Sequence, residues 1–198
     1  MRASDSRGNS RFDELWRAGL WIAGMRLPNP CCICEGPGMP DNRIAELTLD
    51  EATVLRRNPE VEQEREIALR DLADDSSFTP LKAVERGHEG PWKLRLAVSE
   101  GRLAIAVRDS SNADAGTIGL GLARFRRVVR EYFAICDSYY KATRKASARE
   151  IETLDMARRA IHDRGTRQLL EALSGKAVTD FATARRLFTL ICVLHIKA

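Results

Sequence analysis

Two stretches of the chain place an arginine pair upstream of a histidine: "DMARRAIHDRG", residues 155–165, and "TARRLFTLICVLH", residues 183–195. Guanidinium groups hold phosphates and carboxylates through paired, charge-assisted hydrogen bonds, and an imidazole exchanges a proton near neutral pH. In the first stretch Asp155, Arg158, Arg159 and His162 stand at i, i+3, i+4 and i+7, one face of a helix. That face can clamp an anion, with His162 as proton donor and Arg158 or Arg159 as the clamp. It also reads as an ordinary solvated face carrying an Asp155–Arg159 pair, worth roughly 0.3–0.5 kcal/mol. In the second stretch Arg185 and Arg186 fall in the first half of a helix, where the macrodipole gives a cation no help, a mild pointer to anion contact. His195 continues the apolar side of that helix and reads as a core or edge residue.

A third basic cluster follows "GLGL": Arg124, Arg126, Arg127 and Arg130 open a helical segment and could grip phosphate, RNA or an acidic protein. Gly119 and Gly121 precede it as a phosphate-binding turn would. The dinucleotide pattern, however, wants a third glycine where Arg124 stands, together with a parallel βαβ unit, so a nucleotide is not expected there. His88, in "GHEG", reads as a solvated loop residue. The three histidines show no H-x(3)-H or H-E-x-x-H spacing, and "CCIC" (Cys31, Cys32, Cys34) lacks a second ligand pair, so no metal is expected. Cys136 and Cys192 sit in apolar helical patterns and read as small buried hydrophobes. With no P-loop and no G-x-S-x-G elbow, no cofactor is expected either.

The elements that must position these residues are readable from periodicity. "RIAELTLD" reads as a strand. "RNPEVEQEREIALRDLADD" reads as a helix with Asn58 as N-cap and Pro59 at its first position, ending near Asp74. "SSFTP" has turn chemistry. "WKLRLAVS" and "RLAIAVRD" alternate apolar and polar residues around Glu100-Gly101, a hairpin with a tight turn, and "TIGLGL" is a candidate further strand. In "ARFRRVVREYFAICDSYYKATRK" Phe125, Val128, Val129, Tyr132, Cys136 and Tyr139 recur at helical spacing. "SARE", residues 147–150, is a capping box whose helix runs to about Arg164, with Gly165 a natural stop and Leu154, Ala157 and Ile161 its apolar stripe. A shorter helix, "TRQLLEALSG", follows. The last helix takes Asp180 as N-cap and buries Ala184, Leu187, Phe188, Ile191 and Cys192.

These 198 residues suit one domain, or one domain plus an appendage, and 44% hydrophobic with 30% charged residues allows a real core. A net charge of +4 from 32 basic and 28 acidic residues is too balanced to imply nucleic acid without clustering. No DNA-binding motif is present, and no apolar run reaches the roughly 18 residues of a membrane span. Five cysteines without framework spacing point to a reducing cytoplasm. Residues 1–38 differ from the rest. They hold two of the three tryptophans and three of the five cysteines but little core pattern, and are expected to be a disordered leader or an upstream extension before a start at Met39.

Four stretches, "NRIAELTLDEATVLRRNPEVEQEREIALRDL", "FRRVVREYFAICDSYYKA", "DMARRAIHDRG" and "DFATARRLFTLICVLHIKA", together resemble the uncharacterised bacterial UPF family numbered 0262, from about Asp41 to the C-terminus. The resemblance implies a compact cytoplasmic protein and brings no activity with it. The expectation is therefore an α+β domain over 39–198, a small antiparallel sheet with one face covered by four or five helices. Its expected role is as a non-enzymatic binding or adaptor protein. Arg158, Arg159, His162, Arg185, Arg186, Arg126, Arg127 and Arg130 are the candidate contacts to an anionic protein or RNA partner. The alternative is a small enzyme for an anionic substrate.

Overall fold

A computed structural model describes residues 41–50, 59–143 and 146–195. The leader, its "CCIC" run and the Asn58 cap lie outside the described residues. The elements are strand β1 (Ile44–Leu49), helix α1 (Pro59–Asp74), β2 (Phe78–Pro80), the short α2 (Leu81–Glu85), β3 (Trp92–Ser99), β4 (Arg102–Arg108) and β5 (Asp114–Gly121). A 3-10 turn (Leu122–Phe125), α3 (Arg126–Thr143), α4 (Ala148–Leu173), β6 (Ala177–Thr179) and α5 (Phe181–His195) complete the fold. It is α+β.

The main sheet has the order β1-β3-β4-β5. The hairpin forms as its alternation dictates, with Glu100 and Gly101 at φ 51° and 71° in the turn. β5 extends the meander antiparallel, while β1 joins β3 in parallel, so the sheet is mixed. Register puts Leu96 opposite Ile105 and Ile105 opposite Ile118, which gathers the buried apolar residues of all three strands on one face. Trp92, Phe125 and Phe188 fill the core, none of them more than 1% exposed.

Three segments depart from the sequence expectations. "SSFTP" is not only a turn. Phe78–Pro80 pairs antiparallel with Ala177–Thr179, a ladder between segments too short and too far apart for local periodicity to reveal. Leu81–Glu85 adds a helical turn directly after it. Gly165 does not end a helix, and residues 148–173 form one continuous helix. Glycine is needed at 165 because an added Cβ would lie 2.1 Å from Cζ of Phe188 on α5. The capping box of Ser147 with Glu150 is present, and so is the Asp180 cap, whose Oδ1 accepts from the Thr183 N–H at 2.8 Å.

Candidate functional site

α4 does not bury the stripe that hydropathy suggests. Leu154, Ala157 and Ile161 are only half-buried, whereas Arg158 and His162 are each 4% exposed, continuing into Gly165, Thr166 and Leu169. A guanidinium tolerates such burial only with a counter-charge in contact. Asp155 supplies it, accepting at Oδ1 from Arg158 Nη2 at 2.6 Å and Nε at 3.1 Å. Its other oxygen pairs with Arg159 Nη2 at 2.7 Å. Burial alone would raise the Asp155 carboxyl, but the two arginines outweigh it and hold it below the usual carboxylate range.

His162 lies between α3 and α5. Its ring meets Tyr132 and Phe188 edge-on, with centroids 5.1 Å from each. Nε2 stands 3.2 Å from Thr189 Oγ1, and that hydroxyl donates to the carbonyl of Arg185 at 3.3 Å. The hydroxyl proton is thereby used, so the ring donates from Nε2–H and Nδ1 carries the lone pair. Nδ1 is buried with no hydrogen-bond partner among the described residues. Burial, and then the charges of Arg185 and Arg158, push the imidazole down to about 3, so it is neutral at physiological pH.

The two arginine pairs therefore meet by halves. Arg158 and Arg185 flank His162 from α4 and α5. Arg159 turns out to Asp155, and Arg186 reaches the carbonyl and carboxylate of Asp75 at the end of α1, the latter at 3.2 Å. Arg185 is itself paired with Asp163. Arg158 and His162 thus belong to an internal polar cluster where the helices pack, while Arg159 stays exposed.

Arg126, Arg127 and Arg130 lie elsewhere, exposed on the first turns of α3. That first turn has no acidic residue, so the three cations stand where the helix dipole is also positive. Arg127 Nε reaches Glu131 at 2.9 Å, and Glu131 is shared with Arg164 of α4. Exposed Arg124 stands just upstream, so the start of α3 carries Arg124, Arg126, Arg127 and Arg130, and of these Arg127 shares the Glu131 carboxylate with Arg164.

One pairing escaped the sequence. His88 is not a lone loop residue: its Nδ1 is 2.7 Å from Asp109 Oδ2. Asp109 Oδ1 also accepts from Ser111 N–H, Ser111 Oγ–H and Ala113 N–H, and the His88 and Ser111 contacts hold the carboxyl well below its usual range. The partner lies across the β3–β4 hairpin, so no short motif could announce it. Among the described residues no group of His, Cys, Asp and Glu is arranged to hold a metal ion, and no helix is long and apolar enough to cross a membrane.

An α+β domain with an internal Arg–His cluster and an arginine-rich helix start defines the class of molecule. The chain belongs to the uncharacterised protein family UPF0262, whose family model matches residues 41–197. It is 60% identical over 163 residues to a UPF0262 protein of Novosphingobium aromaticivorans, covering 80% of this chain and 99% of the relative. A UPF0262 protein of Erythrobacter litoralis is 55% identical over 159 residues, with 80% and 99% covered. One from Cereibacter sphaeroides is 46% identical over 155 residues, with 78% and 98% covered. No solved structure matches.

Proposed function

We propose that this protein is a non-enzymatic, cytoplasmic binding or adaptor protein that contacts an anionic partner through the arginine surface at the start of α3. The observation that carries this is the run of exposed cations Arg124, Arg126, Arg127 and Arg130 at a helix start whose first turn has no acidic residue, where Arg127 shares the Glu131 carboxylate with Arg164. Cations gathered where the helix dipole is already positive destabilise the fold slightly, and an anionic partner offsets that. The internal cluster supports the same reading from the other side. Arg158 and His162 are buried, the imidazole is neutral, and Arg158, Arg159, Arg185 and Arg186 each have a carboxylate of the same chain. A catalytic acid needs reach to its substrate, so the enzymatic alternative with His162 fits this geometry less well.

The test is affinity capture of the tagged chain beside a variant with Arg126, Arg127 and Arg130 changed to Gln, identifying bound protein and RNA alike. All three side chains are exposed, so the variant is expected to fold as the wild type does. A partner held by the wild type and lost from the folded variant supports the reading. Equal recovery from both would overturn it.

A further inference from the structure

We propose that the cleft between α2 and the open edge of β5 binds a small dianionic molecule, a phosphomonoester or a dicarboxylate. This site is separate from the α3 surface and does not rest on the reading given above. Among the described residues β5 is the last strand of its sheet, and no strand pairs with its outer edge. A cleft of about 290 Å³ lies along that edge, near the lower end of small-molecule sites. Its charged lining is Lys82, Arg86 and Lys176, from α2, the turn after it and the turn before β6, with no carboxylate among the lining residues.

These cations are not spent internally. Among the described residues Lys82 and Arg86 have no acidic partner, and the Lys176 ammonium donates to the carbonyl of Gly119 at 2.8 Å. Arg43, Arg95, Arg159 and Arg186, by contrast, each have a carboxylate in contact. Asp114, at the start of β5, engages the Gly116 N–H at 2.9 Å.

The backbone adds donors. In an antiparallel strand the N–H and C=O of one residue point to the same side. Since Gly119 turns its carbonyl outward to Lys176, its N–H, and that of Thr117 two residues back, also face the open edge. Glycine keeps the wall open. At Gly116 φ is +110°, a backbone conformation that L side chains rarely adopt, and the place of a Cβ is in van der Waals contact with Arg86 Nη1 at 3.6 Å. The walls are fixed by the β2–β6 ladder and by the Leu81 N–H donating to the Lys176 carbonyl at 3.0 Å. An added peptide strand fits less well. It needs free acceptors along the edge, and the Gly119 carbonyl is already taken by Lys176.

The test is isothermal titration of the full chain with inorganic phosphate, phenyl phosphate and succinate at fixed ionic strength. Arg86→Gln and the pair Lys82→Gln with Lys176→Gln are run beside it, and Arg126, Arg127 and Arg130 changed together to Gln serve as control. One of the probes is expected to bind saturably at one site, weakened about tenfold or more by Arg86→Gln and by the lysine pair, and unchanged in the control. Phenyl phosphate exceeding inorganic phosphate identifies a phosphomonoester site, and succinate exceeding both identifies a dicarboxylate site. No saturable heat up to about 10 mM, equal binding by the cleft variants, or loss only in the control would overturn the proposal.

Discussion

The neutral imidazole inside the helical layer makes the protein sensitive to mild acid in a calculable way. His162 is pushed down to about 3 in the folded chain, whereas an unfolded histidine takes its proton near 6.5. Between those values the unfolded state binds one more proton than the folded state, so stability is fully present above about pH 6.5 and is lost as the pH falls towards 3. Each pH unit in that window costs about 1.4 kcal/mol, so acidification from pH 7 to pH 5 should remove about 2 kcal/mol through this one residue. The perturbation is His162→Gln, which removes the titration and keeps an amide able to reach Thr189. Urea unfolding followed by far-ultraviolet circular dichroism at pH 7, 6 and 5 gives both stability curves. His88, His195 and the carboxylates are common to the two proteins, so the difference between the curves isolates His162. The variant should lose some stability at pH 7 and converge with the wild type by about 2 kcal/mol on reaching pH 5. Parallel curves, or a wild type that gains on the variant in acid, would refute the burial argument.

Two further perturbations probe the same helical interface. Gly165→Ala adds a methyl group into the Phe188 ring; despite a helix-propensity gain of about 1 kcal/mol, a net loss of about 2 kcal/mol is expected by urea denaturation, and a stabilised variant would contradict the packing described. Asp155→Asn leaves the buried Arg158 guanidinium without its counter-charge, and the expected cost is about 3 kcal/mol by the same assay, while a change within about 0.5 kcal/mol would mean that Arg158 reaches solvent.

What the sequence disclosed follows from where the physics is local. Hairpin β3–β4 and helix α3 were legible because their apolar residues repeat at the period of the element, and the Ser147 and Asp180 caps because capping chemistry acts within three residues. The face of α4 was misjudged for a definite reason. Hydropathy ranks Leu154, Ala157 and Ile161 as the inner stripe, but Asp155 neutralises Arg158 and so allows the polar face to turn inward. Gly165 looked like a terminator because a glycine required by the neighbouring helix is spelled the same way as one that ends a helix. His88 and the three-residue strands were invisible because their partners lie far along the chain. Spacing puts Arg158, Arg159 and His162 on neighbouring turns of one helix, of which Arg158 and His162 are buried and Arg159 is exposed. Which of them would face water depended on α5, which no local pattern contains.

The pairing of Phe78–Pro80 with Ala177–Thr179 bears on the order in which the molecule assembles. It joins segments about a hundred residues apart, and closing a loop of that length costs about 4 kcal/mol in chain entropy. Three ladder positions cannot supply that alone. The two strands are therefore expected to pair after α1 and α4 dock on α5 and bring them near, and after the β3–β4–β5 meander, whose turns are short. The clasp is thus a late step in assembly. The cationic cleft is walled by that clasp and by the early-forming β5, so its two sides come together only when assembly is nearly complete.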